Sequence, residues 1–113
     1  MQIKGTNMTM IRGDSETIFV SMEDAENEKV AFKTGDTLRM TIKDSLKSAV
    51  NILQKVITEF EYGNAIIILT PEDTKDLRVK EYIYDVQLTR ADGTVSTIIK
   101  PSKFTIEGDV TRD

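Results

Sequence analysis

Cysteine and histidine are both absent from this chain of 113 residues. Without them the chain itself offers no Ser-His-Asp or Cys-His nucleophile system, no Cys/His zinc site, no iron–sulfur ligand set and no disulfide. Any catalysis would rest wholly on Asp, Glu, Lys, Tyr or Ser, so the sequence reads as non-enzymatic, with no cofactor assigned. Long apolar runs are also missing. The longest aliphatic run is Ala65–Leu69, far short of the roughly 20 residues a membrane-spanning helix needs. The chain opens without a charged start followed by an apolar run, so neither a signal peptide nor membrane contact is expected. Blocks of basic charge are lacking as well: 15 Lys and Arg stand singly against 19 Asp and Glu, for a net charge of −4. On balance phosphate backbones are repelled, and nucleic-acid binding is not expected.

What is present favours extended backbone. Ile, Val and Thr number 13, 8 and 14, against 6 Leu and 5 Ala, a bias toward β-branched side chains that pack well on a pleated surface. The length fits one domain over 1–113, and 39% hydrophobic residues suffice for a single core.

Local patterning supports an all-β class. Ile18, Val20 and Met22 alternate after the turn formers Arg12, Gly13, Asp14 and Ser15. The charged stretch 23–29 reads as a loop or hairpin tip. Over 37–43, Leu38, Met40 and Ile42 face inward between outward Thr and charged residues, the clearest half-buried strand. Residues 44–57 fit both a helical spacing (Leu46, Ala49, Val50, Leu53, Ile57) and a later strand; a loop or one helical turn followed by strand is the preferred reading. The run Ala65–Leu69, bounded by Gly63-Asn64 and Pro71, reads as a central sandwich strand rather than a helix. Thr70, Pro71, Glu72 and Asp73 carry the signature of a short helix start. The stretch 80–90 is a long strand with Tyr82, Tyr84, Val86 and Leu88 on one face, turned by Asp92 and Gly93 at a two-residue tip into 94–99. Pro101 breaks that second strand, and Phe104 and Ile106 continue it as a kinked edge strand. Seven or eight such strands predict a two-sheet sandwich.

The stretch 69–77 followed by Tyr82, Ile83 and Tyr84 is similar to the corner before the sixth strand of immunoglobulin-like domains, with Asp73 in the turn, Tyr82 as the corner residue and Tyr84 in the core. Leu69 to Thr74, Tyr82 to Leu88, Ala91 to Val95, Phe104 to Ile106 and Asp109 to Arg112, with the Arg12-Gly13-Asp14 opening, resemble a family of small immunoglobulin-like proteins of phages and prophages of Gram-positive bacteria. These are similar to the N-terminal domain of baseplate upper proteins. The resemblance implies an immunoglobulin-like Greek-key β-sandwich with a short helical turn before the Tyr-bearing strand. It also implies a structural part of a tail, baseplate or head, made in the bacterial cytoplasm and carried in the virion, whose partners are other phage structural proteins or further copies of itself. A host-encoded module binding a glycan or peptide is the alternative.

Three side chains stand out as interface candidates. Phe19 lies opposite Ile18, Val20 and Met22, while Ile83 and Ile99 fall where alternation points outward if Tyr84 and Ile98 point in. The Arg12-Gly13-Asp14 tripeptide is ordinary turn chemistry before a strand. The acids of 23–28 and 72–76 lack the alternating ligands and glycine of a calcium loop and read as solvated.

Overall fold

The computed structural model describes residues 1–111. In chain order these form β1 (Gln2–Lys4), β2 (Asn7–Ile11), β3 (Glu16–Val20), β4 (Met22–Glu23), β5 (Lys29–Val30), β6 (Thr37–Lys43), β7 (Asn51–Ile57), β8 (Ala65–Leu69), α1 (Pro71–Thr74), β9 (Lys80–Thr89) and β10 (Val95–Glu107). Six strands make one mixed sheet in the order β1-β2-β10-β9-β6-β7. All its pairings are antiparallel except β2 with β10, which run parallel with Phe104 opposite Met8 and Ile106 opposite Met10. Strands β3 and β8 form a separate antiparallel pair, as do the short β4 and β5. Among the described residues, no helix is long and apolar enough to cross a membrane.

Alternation explains how the two larger sheets share one core. From the small sheet come Ile18, Val20, Ala65, Ile67 and Leu69; from the large sheet come Met8, Met10, Leu38, Met40, Ile42, Tyr82, Tyr84, Val86, Leu88, Phe104 and Ile106, all buried in one cluster. Side chains two apart share a face, so β2, β3, β6, β8, β9 and the second half of β10 turn every second residue inward. Tyr84 and Phe104 meet edge to face with ring centroids 6.0 Å apart, a favoured aromatic geometry. Within the stretch 44–57, strand forms only from Asn51; the apolar spacing before it lies in loop, with Leu46 and Val50 exposed.

Helix α1 is one turn long because its start is well capped and nothing extends it. Thr70 is the N-cap, Pro71 opens the helix, and the Asp73 carboxylate accepts from the Thr70 backbone N–H at 2.8 Å. Pro71 lacks only an N–H that would have no partner inside the helix.

Four expectations change at the level of register. The run Ala65–Leu69 is a strand, but it lies in the two-stranded sheet, and Ile66 and Ile68 face outward, Ile68 58% exposed. β10 is not a kinked edge strand. Its first half pairs only with β9, while Phe104 to Ile106 lie between β9 and β2. The register shifts on both sides of Ile99 take up the break at Pro101. The β9–β10 connection is also longer than a two-residue tip. Arg90 N–H donates to Thr94 O at 2.8 Å and Gly93 N–H to Arg90 O at 2.9 Å, so the loop is 91–93 with Gly93 at φ +92°, a turn closed by a glycine bulge. Finally, β1 and β2 form at the N-terminus, where the sequence reading placed no strand.

Candidate functional site

Tyr82, Tyr84, Asp73 and Asp92 each make contacts within the frame. Tyr82 is 3% exposed, and its hydroxyl donates to the Arg78 backbone carbonyl at 2.8 Å, four residues upstream. The Tyr84 hydroxyl donates to the Thr6 carbonyl, linking β9 to the turn between β1 and β2; burial pushes this phenol up to about 12. Asp73 lies 2.7 Å from the Lys55 ammonium, so β7 is fastened to α1. Partial burial opposes ionisation of Asp73, but Lys55 and the Thr70 N–H outweigh it and hold the carboxyl below its ordinary value. Asp92 accepts from Thr94 N–H at 2.9 Å, and that bond lowers its pKa.

The Arg12-Gly13-Asp14 turn is locked in the same manner. The Arg12 guanidinium reaches Asp109 at 2.9 Å and the Leu77 carbonyl at 3.4 Å, while Gly13 N–H donates to the buried Thr74 hydroxyl at 2.8 Å. The loop acids have structural duties too. The Asp24 carboxylate accepts from the N–H groups of Glu26 and Glu28 at 2.9 and 3.0 Å, and Glu72 pairs with Lys75 at 2.7 Å. Asp36 is 4% exposed and accepts from Arg90 at 2.7 Å and Lys33 N–H at 2.9 Å, an ion pair the sequence reading did not anticipate.

Phe19, Ile83 and Ile99 do not converge. Phe19 faces outward from the small sheet and is 73% exposed. Ile83 lies on the opposite side of the molecule, on the outer face of the large sheet, where it lines a shallow cleft of about 230 Å³ with Thr41, Lys43, Gln54, Asp85 and Gln87. Ile99 does not point outward as alternation implies: the two register shifts around it interrupt alternation, so both Ile98 and Ile99 pack half-buried against the core.

The neighbours of Phe19 are residues the sequence reading missed. Ile66 sits directly across the ladder from Phe19, and Ile68 follows two residues along the same face. Beside them a second cleft is lined by Glu59, Phe60, Glu61, Ile66 and Ile68. Phe60 stacks on buried Phe32 with centroids 5.2 Å apart, which fixes the cleft wall. Next to it, Glu61 and Asn64 close a turn whose central residues Tyr62 and Gly63 both have positive φ, +51° and +76°. Gly63 suits that conformation, and a Cβ there would stand 2.7 Å from the Ala31 Cβ. Tyr62 does not suit it, since a bulky side chain is disfavoured in the left-handed region. Its side chain is nevertheless 97% exposed, so no burial compensates. The readable signal was the pairing of Phe19 with a second outward apolar row, hidden because an all-apolar run shows no alternation.

No family model, curated protein or solved structure matches the chain.

Proposed function

We propose that the chain is an immunoglobulin-like structural module of a phage or prophage particle, in tail, baseplate or head, acting through protein–protein contacts rather than catalysis. The observation that carries the contact role is the outer face of β3 and β8, where Phe19, Ile66 and Ile68 form one apolar surface on a sheet of only two strands. Scattered apolar side chains on a surface are ordinary, but a contiguous row on one sheet face marks a contact surface. The immunoglobulin-like reading is supported by β6, β9 and β10 lying side by side over the β3–β8 pair, and by the hydroxyl bond from Tyr82 back to Arg78. The phage assignment rests on the resemblance, strongest over 66–112.

The second reading, a host-encoded binding module for a glycan or peptide, draws on the polar cleft around Thr41, Gln54, Asp85 and Gln87. That cleft offers hydrogen-bonding groups but no aromatic platform for a sugar ring. Neighbouring genes for tail or capsid proteins favour the first reading, and a transport or glycan-utilisation locus favours the second. The direct test is mass spectrometry of particles purified from an induced culture. The chain is expected to band with the particles in a density gradient; its absence from them overturns the structural role.

A further inference from the structure

The outer β3–β8 face has a charge pattern that selects its occupant. The cleft at its margin is lined by the apolar side chains of Phe60, Ile66 and Ile68, and its charged lining residues among those described are Glu59 and Glu61. Both glutamates are exposed, and neither carboxylate has a partner among the described residues. Neither of two neighbouring lysines pairs with them: Lys55 holds Asp73, and Lys29 donates to the Tyr62 carbonyl at 3.2 Å. In addition, β3 and β8 pair in a ladder only with each other among the described residues; β7 lies close to β8, and β3 keeps an edge without a hydrogen-bonded strand partner. Exposed edges of this kind are where an extended segment adds by main-chain hydrogen bonding.

From this we infer that the β3–β8 face receives an extended segment of a partner protein that has an apolar centre flanked by Lys or Arg. The proposal rests on the contact role given above and specifies the partner's chemistry. Apolar side chains of the segment cover Phe19, Ile66 and Ile68, while its flanking cations neutralise Glu59 and Glu61. Charge also argues against other occupants. A second copy of this chain carries a net charge of −4 and the same two uncompensated glutamates, so face-to-face pairing desolvates like charges. An anionic lipid surface or a nucleic acid is repelled by the same groups. The exposed Tyr62, beside Glu61 in the chain, adds an aromatic side chain of the kind that anchors interfaces.

The test uses two blocked synthetic peptides with the same Val-Ile-Phe centre, one flanked by paired lysines and the other by paired glutamates, titrated into the isotopically labelled chain and followed by NMR. The lysine peptide is expected to bind at least about tenfold more tightly, with shifts confined to 16–20 and 59–69. Raising the ionic strength to about 1 M, where the screening length is about 3 Å, should weaken it. Glu59→Gln with Glu61→Gln should abolish the preference for lysine, and Phe19→Thr with Ile68→Thr should abolish binding of either peptide, both pairs leaving the chain folded with a melting temperature shifted by no more than several degrees. Equal binding of the two peptides, binding unaffected by these substitutions, or shifts on the opposite sheet overturn the proposal. So does a concentration-dependent dimer, seen by light scattering, that Phe19→Thr abolishes, because the occupant is then a second copy. Particle composition remains a separate readout: a chain present in virions but indifferent to the lysine peptide loses this partner and keeps its structural role, whereas peptide binding without virion incorporation does the reverse.

Discussion

The two outer faces of the molecule are made by the same strand alternation and are finished in opposite ways. On the large sheet the outward positions of β6, β7 and β9 are mostly polar, Thr41, Arg39, Gln54, Asp85 and Gln87 among them, with Ile52, Val56 and Ile83 set singly between them, and Gln54 donates to Thr41 across the ladder at 3.0 Å. On the small sheet the corresponding positions are Thr17, Phe19, Ile66 and Ile68, three of the four apolar and adjacent. Solvent exposure alone asks for the first pattern, because a hydrated sheet face keeps polar side chains outward. The second pattern exposes apolar area with no gain in the core beneath it, where Ile18, Ile67 and Leu69 are already at 2% exposure or less. The difference separates residues that build the fold from residues the fold presents.

Substitutions can break or sharpen that division. The largest effect belongs to Tyr84, which is fully buried between the sheets. Tyr84→Ala should cost roughly 3–5 kcal/mol in a denaturant melt, and a loss below about 1 kcal/mol would place it outside the core. The same residue sets an alkaline limit. Its phenol is raised to about 12 in the folded chain, whereas in the unfolded chain it ionises near 10. The unfolded state therefore releases its proton first, so the contribution of Tyr84 is complete below about pH 10 and is lost as pH rises toward 12. Melts across that window, compared with those of Tyr84→Phe, should show the wild-type chain declining more steeply.

Asp36 follows. Asp36→Ala removes the partner of Arg90 and the acceptor for Lys33 N–H, and should cost about 2 kcal/mol, measured in the same melt; a neutral result would mean that Arg90 finds water instead. Tyr82→Phe deletes one hydroxyl bond to the Arg78 carbonyl and should cost about 1 kcal/mol. The smallest effect is expected on the presented face. Phe19→Thr and Ile68→Thr should each change stability by no more than about 0.5 kcal/mol, while Ile67→Thr, one residue along the same strand but facing inward, should cost several times more. Equal losses at Ile67 and Ile68 would erase the distinction between the two sides of β8.

Much of this division was legible in the sequence where alternation was clean. Leu38, Met40 and Ile42 between polar neighbours, and Tyr82 to Leu88 at period two, announce one buried face each, and Thr70, Pro71 and Asp73 announce the capped turn of α1. Phe19 could be singled out because Ile18 and Val20 flank it. Ile66 and Ile68 could not, because Ala65–Leu69 is apolar throughout and period two vanishes in such a run. Its burial was decided by the width of the sheet, a tertiary property. The same reason displaced Ile99: register shifts around Pro101 are set by how β10 joins both β9 and β2, and no local pattern encodes them. β1 and β2 escaped notice because Met8 and Met10 alternate over too few residues to stand out beside Thr and Asn. The Asp36–Arg90 pair joins residues far apart in the chain, and nothing in either neighbourhood points to the other.

The claim that the β3–β8 face exists for contact is tested most directly by hydrogen–deuterium exchange on the chain, free in solution and incorporated in purified particles. The account predicts slowed exchange on incorporation in 16–20 and 59–69, with the outer face of the large sheet unchanged. Identical exchange in those segments, or protection centred on β6 and β7 instead, would contradict it.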